Sequence, residues 1–148
     1  MANVKTIGVG NGVSISDQTG YLEAHAALSE GDSIVVSFAA FDSTSGLPYL
    51  TKAPATAQQE YDVVAIAAQD LAAGATGKFY FSGVVLSNVD SGVAAGEILA
   101  VTNAAFDLQD ATAVTNTKIV GRALEAYSAS ALSKVWFDGL NGLGHNET

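Results

Sequence analysis

A chain of 148 residues suits a single domain, and a hydrophobic content of 49% is ample for a core. Only 14% of the residues are charged, against about a quarter in ordinary soluble domains, which favours a surface partly covered by another molecule. A net charge of −9, from 15 acidic and six basic residues, argues against nucleic acid or an anionic membrane as partner, and the lack of cysteine excludes disulfides and thiolate metal sites.

Residues 1–20 are polar, Gly-rich and weakly patterned, and read as an extended N-terminal arm or edge segment. The opening "MANVKTIGVGNGVSISD" lacks the apolar stretch of a secretory signal, and no segment approaches membrane-spanning length. The expectation is a protein made in the cytoplasm. The main domain is placed at 21–140, with runs rich in Val, Ile and Phe: "SIVVSFAAF" (33–41), "YDVVAIAA" (61–68), "KFYFSGVVL" (78–86), "EILAVT" (97–102), "KIVGRALEAY" (118–127) and "KVWF" (134–137). Gly, Asp, Asn and Ser clusters bound these runs, which is the pattern of an all-β sandwich or barrel-like domain. Residues 141–148, "NGLGHNET", read as a flexible C-terminal tail.

The chain repeats itself. Residues 62–83 align without gaps on 118–139 at an offset of 56, pairing Val64 with Val120, Ala67 with Ala123, Lys78 with Lys134, Phe81 with Phe137 and Gly83 with Gly139. Each copy reads strand, small-residue loop, strand, so two related β-hairpins are expected. A fainter echo sets "ALSEGDSIVVS" (27–37) beside "GVAAGEILAVT" (92–102), with Gly-Asp and Gly-Glu each introducing a strand. The Ala-rich stretch 55–74 also fits helical spacing. The repeat favours a strand there, because its second copy carries Val120, Gly121 and Arg122, a poor helix interior. One short helix within a loop remains compatible with the pattern.

Strand alternation puts Phe79 and Phe81 on one face, with Val135 and Phe137 as their counterparts, and assigns these to the core. Lys78, Tyr80 and Ser82 fall on the opposite face, as do Lys134, Trp136 and Asp138. Tyr80 and Trp136 are therefore candidate contact residues, amphipathic rings among polar neighbours. The competing explanation is cover by loops or by lysine stems.

Catalytic motifs fail on inspection. "AAGATGKF" (72–79) has Ala72 and Phe79 where a phosphate-binding loop needs Gly and Ser or Thr, and reads as a hairpin loop. "IGVGNGVS" (7–14) misplaces the third glycine of a dinucleotide fingerprint. Asp90-Ser91-Gly92 matches the catalytic phrase of aspartic proteases, and "IVGRA" (119–123) resembles a second segment of their small viral members. Too little chain for a flap separates them, Val93 stands where a small residue belongs, and Ala123 replaces an Asp or Asn. A turn explains 88–92 better. His25 and His145 have no Ser, Cys or second His at a useful spacing, and the acidic clusters lack the pattern of a calcium loop. No enzyme, cofactor or metal is predicted.

"HAALSEGDSIVVS", "YDVVAIAAQDLAAGATGKFYFSGVV", "AAGEILAVT" and "KIVGRALEAYSASALSKVWFDG" together resemble the capsid decoration (cement) proteins of tailed bacteriophages, over roughly residues 24–139. The resemblance implies a structural virion protein: a β-rich homotrimer on the outer surface of an icosahedral head, at three-fold and quasi-three-fold positions, stabilising the shell. Its partners would be the major capsid protein and itself. Candidate subunit or capsid contacts are then Tyr80 and Trp136 with the arm residues Val4, Ile7, Val9, Val13 and Ile15. The alternative is a carbohydrate- or host-surface-binding β-domain in which the two rings stack on sugar.

Overall fold

The computed structural model describes residues 4–9, 13–38, 50–54, 58, 62–101, 105–114 and 117–146. Strands β1 (Val4–Val9) and β2 (Val13–Ser16) pair with each other as an antiparallel hairpin, with Val4 opposite Ser16 and Val9 opposite Val13. The expected arm thus contains a hairpin, and its last residues already belong to the next strand.

Five strands follow: β3 (Gln18–Glu23), β4 (Ser33–Ser37), β5 (Leu50–Lys52), β6 (Val64–Ala67) and β7 (Thr76–Ser87). Their lateral order is β3-β5-β4-β6-β7, and β3 pairs with β7 as well, so the five close into a ring. The second half supplies β8 (Ile98–Val101), β9 (Leu108–Asp110), a single 3-10 turn at Ala111–Ala113, β10 (Thr117–Ile119), β11 (Gly121–Ala123), β12 (Ser133–Asp138) and β13 (Gly144–Asn146). Here the order runs β7-β12-β11-β8-β9, and a parallel bridge from Leu108 to Val89 ties β9 back to the segment leaving β7. The fold is all-β, as the run pattern predicts. Val64–Ala67 is a strand, which decides against the helical option there. Residues 144–146, assigned to a tail from sequence, pair instead with β10.

Strand β7 belongs to both halves. Its residues up to Ser82 pair with β3, and those from Ser82 to Ser87 pair with β12. Gly83 sits at the changeover with φ +123, and a Cβ there would run into the carboxylate of Asp17. Only glycine takes this conformation without strain, so the residue lets one long strand serve two curls.

The repeat read from sequence holds in the pairing register. In the first hairpin Ala67 lies opposite Phe79; in the second, Ala123 lies opposite Val135, each residue displaced by 56. The fainter echo fits the same frame, with Ile34 opposite Ala65 and Leu99 opposite Gly121. Even the turns correspond. Gly31, at φ +91, donates its N–H to Ala67 O at 2.8 Å, and Gly96, at φ +90, donates to Ala123 O at 2.7 Å. The Asp32 carboxylate accepts the Ser29 N–H at 2.8 Å, and that of Glu97 accepts the Ala94 N–H at 2.9 Å. Gly-Asp and Gly-Glu recur because each supplies a left-handed turn residue and a short acceptor for the turn's free amide.

Alternation then sorts the core into two clusters. Leu22, Ile34, Val36, Ala65, Ala67 and Phe79 point into the ring. The other face of β4 and β6 carries Val35, Val64 and Ile66, which join Leu99, Val101, Ala123, Val135 and Phe137 of the second half. The second sheet therefore lays its inner face on the outer face of the first. Each large side chain buried in this seam contributes about 1.5–3 kcal/mol relative to exposure.

Candidate functional site

The second hairpin presents its outer face to solvent. Strand β12 has alternating burial, with Ser133, Val135 and Phe137 inside and Lys134 and Trp136 outside. Trp136 lies opposite Val84 on β7 and opposite Arg122 on β11, so these three side chains form one row across the sheet. In the neighbouring row Lys134 lies opposite Leu86, and Leu124 donates its N–H to Lys134 O at 3.0 Å. Trp136 is 42% exposed, Leu86 46% and Leu124 47%, giving an apolar patch flanked by two cations.

Tyr80 occupies the equivalent place in the first hairpin but not the equivalent surroundings. It lies opposite Ile66 and Thr19, and its half-buried ring packs against the seam cluster. Lys78 Nζ sits 5.5 Å from the ring centroid, a cation–π contact of the kind the lysine-stem reading anticipates. Its row continues to Ser33 and Ile66, both fully buried. The structure thus separates the two aromatic candidates: Trp136 stands open, while Tyr80 is tucked under the second half. The backbone of Val4, Ile7, Val9, Val13 and Ile15 lies in the β1–β2 hairpin, which pairs with no strand of Trp136's sheet although β2 approaches β7.

Val84, Leu86, Arg122 and Leu124 were not singled out by sequence. Leu86 closes an apolar run that reads as core, and only the pairing register sets it beside Trp136. One signal was present. At the repeat offset of 56, buried Ile66 becomes exposed Arg122, a change from apolar to charged that marks the outer face.

The residues tested for chemistry sit in structural roles. The Asp90 carboxylate accepts its neighbour Ser91's N–H at 2.8 Å and Asp90 O accepts that of Val93 at 3.1 Å, a turn fastened to β9 by the Asp90 N–H, which donates to Leu108 O at 2.7 Å. Residues 68–75 connect β6 to β7, so of the expected loop at 72–79 only 72–75 lie in it, and Thr76–Phe79 are already strand, drawn into pairing with β3. His25 lies just beyond β3. Its N–H donates to Thr51 Oγ1 at 2.9 Å, and its Nδ1 lies 2.6 Å from the same oxygen, fastening β3 to β5. Burial pushes the imidazole below its ordinary value of 6.5. His145, on β13, places Nε2 3.2 Å from Gln58 O. Among the described residues no group of three or more His, Asp or Glu is placed to hold a metal ion.

A family model described as phage cement protein matches residues 23–137. In three dimensions the chain resembles the N base of head fiber gp8.5 of bacteriophage phi29, with a TM-score of 0.57 and 13% identity over 87% of this chain and 99% of that one. At such identity the likeness concerns the fold. No curated protein matches the chain. With residues 23–137 of its 148 covered by the family model, the chain belongs to the phage cement proteins.

Proposed function

We propose that this chain is a head decoration protein that sits as a trimer on the outer surface of an icosahedral phage shell, at three-fold and quasi-three-fold positions, and strengthens it. Membership of the cement family makes it a capsid-associated structural protein of the virion. The finer reading is carried by one observation: a doubled, tightly cored β-domain in which Asp90 serves a turn and His25 ties two strands, yet which leaves an apolar patch around Trp136 open on one sheet face. Such a surface binds without reacting.

The stabilisation follows from linkage. A protein that binds the expanded shell and not its precursor favours the expanded state by mass action. Three joined subunits add avidity beyond any single contact. The β1–β2 hairpin, with Val4, Ile7, Val9, Val13 and Ile15, is assigned to the capsid side as an arm.

Co-sedimentation with purified heads tests the proposal. The chain is expected to pellet with expanded heads and to remain in the supernatant with unexpanded ones. Deletion of residues 2–16 removes β1 and β2 and is expected to leave the rest of the domain folded, with a cooperative urea transition, while weakening pelleting. Equal recovery of the intact chain with and without heads would overturn the decoration reading; unchanged pelleting of the deletion would overturn the role of the arm.

A further inference from the structure

The first sheet shows what this fold does with the outer face of its hairpin. Ser33, Ile66 and Tyr80 form a row that the second half covers, and the Ser33 N–H itself donates to Phe106 O at 2.9 Å. The matching row in the second half is Ile98, Arg122 and Trp136. Among the described residues no third copy of the unit lies over it, and Arg122 and Trp136 remain exposed. An internal docking surface is therefore repeated, once filled and once open.

Charge indicates what fills it. Arg122 and Lys134 are two of only six basic residues in a chain with 15 acidic ones, and both stand on this face. The carboxylates of Glu97, Glu125 and Asp138 accept backbone N–H groups, from Ala94, from Lys134, and from Leu140 and Asn141 respectively. The two cations form no ion pair among the described residues, although Arg122 Nη1 donates to Gly96 O at 2.9 Å. The three carboxylates keep their charge, so the face sets two cations beside Trp136 against Asp138 at its end, on a molecule whose remaining surface is strongly acidic. Placed against its own copy it would oppose cation to cation. Placed against a different, acidic side of a second copy it is complementary, and such a head-to-tail contact makes a ring when its rotation closes, as a trimer requires.

We infer that the outer face of β12, centred on Trp136 with Val84, Leu86, Arg122, Leu124 and Lys134, is the subunit interface of this protein, seated on an acidic face of a second copy of the chain. The inference rests on the trimeric decoration reading, and commits Trp136 to the subunit contact over the capsid contact.

Trp136 is the only tryptophan in the chain, so its fluorescence reports on this face without any mutation. As the full-length protein is concentrated through its association range, tryptophan emission is expected to shift to the blue and acrylamide quenching to fall, in step with the mass from sedimentation equilibrium. Trp136→Glu and Arg122→Glu, both outward-facing, are expected to raise the dissociation midpoint by about tenfold or more, with circular dichroism unchanged. Tyr21→Glu, exposed on β3 away from this face, is expected to leave it unmoved. A wild-type chain that is monomeric throughout, or a trimer whose tryptophan stays equally quenchable, overturns the inference. So does a Trp136→Glu trimer, and if that trimer no longer pellets with heads, the face is the capsid contact and the decoration reading stands. Failure of the wild-type trimer to pellet with heads would remove that reading and leave the interface intact.

Discussion

Two polar residues show how single side chains hold this fold at its joints. Lys118 is 1% exposed, and its ammonium donates to Asp62 O at 2.6 Å, Leu140 O at 2.9 Å and Gly139 O at 3.0 Å. Three donors meet three carbonyls, so a buried charge is satisfied without a carboxylate contact. Burial lowers its affinity for the proton, while nearby Asp138 and Asp62 pull the other way. His25 carries the pH dependence. Because burial depresses its pKa below 6.5, the unfolded chain takes up that proton first as the pH falls. The associated stability is fully present above the unfolded value and is lost as pH falls from there through the lower folded value. Denaturant titrations between about pH 7 and pH 5 are expected to show wild-type stability declining more steeply than that of His25→Gln. Parallel declines would mean that the imidazole is not the titrating group.

At the scale of elements, the doubled phrases "KFYFSG" and "KVWFDG" have separate reasons for ending in glycine. Gly83 needs its left-handed φ, whereas Gly139 is a matter of space: a Cβ there would collide with the Val64 carbonyl and lie 2.6 Å from the Phe137 ring. Gly139 also donates to Phe81 O at 2.9 Å and accepts the Val64 N–H at 3.0 Å, so it cannot move away cheaply. Gly139→Ala is expected to destabilise the domain by about 3 kcal/mol. Gly92→Ala, where a Cβ meets nothing within 4 Å, is expected to change stability by less than about 0.5 kcal/mol. Urea midpoints of the two variants check this. Both hairpins and the strand-leading turns were legible because they repeat, and a repeat survives uncertainty about any one residue. Strands β3, β5 and β9 were not, since "QTGYLE", "LTK" and "LQD" carry no apolar run. They are strands because their neighbours offer free edges, a tertiary cause.

For the molecule as a whole, the seam decides behaviour. Val35, Val64 and Ile66 from the first half share a cluster with Leu99, Val135 and Phe137 from the second, and β7 runs through both. Neither half buries its apolar surface alone, so unfolding is expected to be a single transition. Trp136 fluorescence, which reports the second half, and amide exchange in β4, which reports the first, should lose signal at the same denaturant concentration; separate midpoints would show two independent units.

Composition and period sufficed for the all-β class, the paired hairpins and the inward phenylalanines, because alternation and duplication are properties of local sequence; the likeness to cement proteins lay in particular phrases such as "KIVGRALEAYSASALSKVWFDG". They left Tyr80 and Trp136 as equals. Folding made them unequal, since a strand's outward face is buried or open according to what stacks on it, and only the first of two similar sheets has another laid over it.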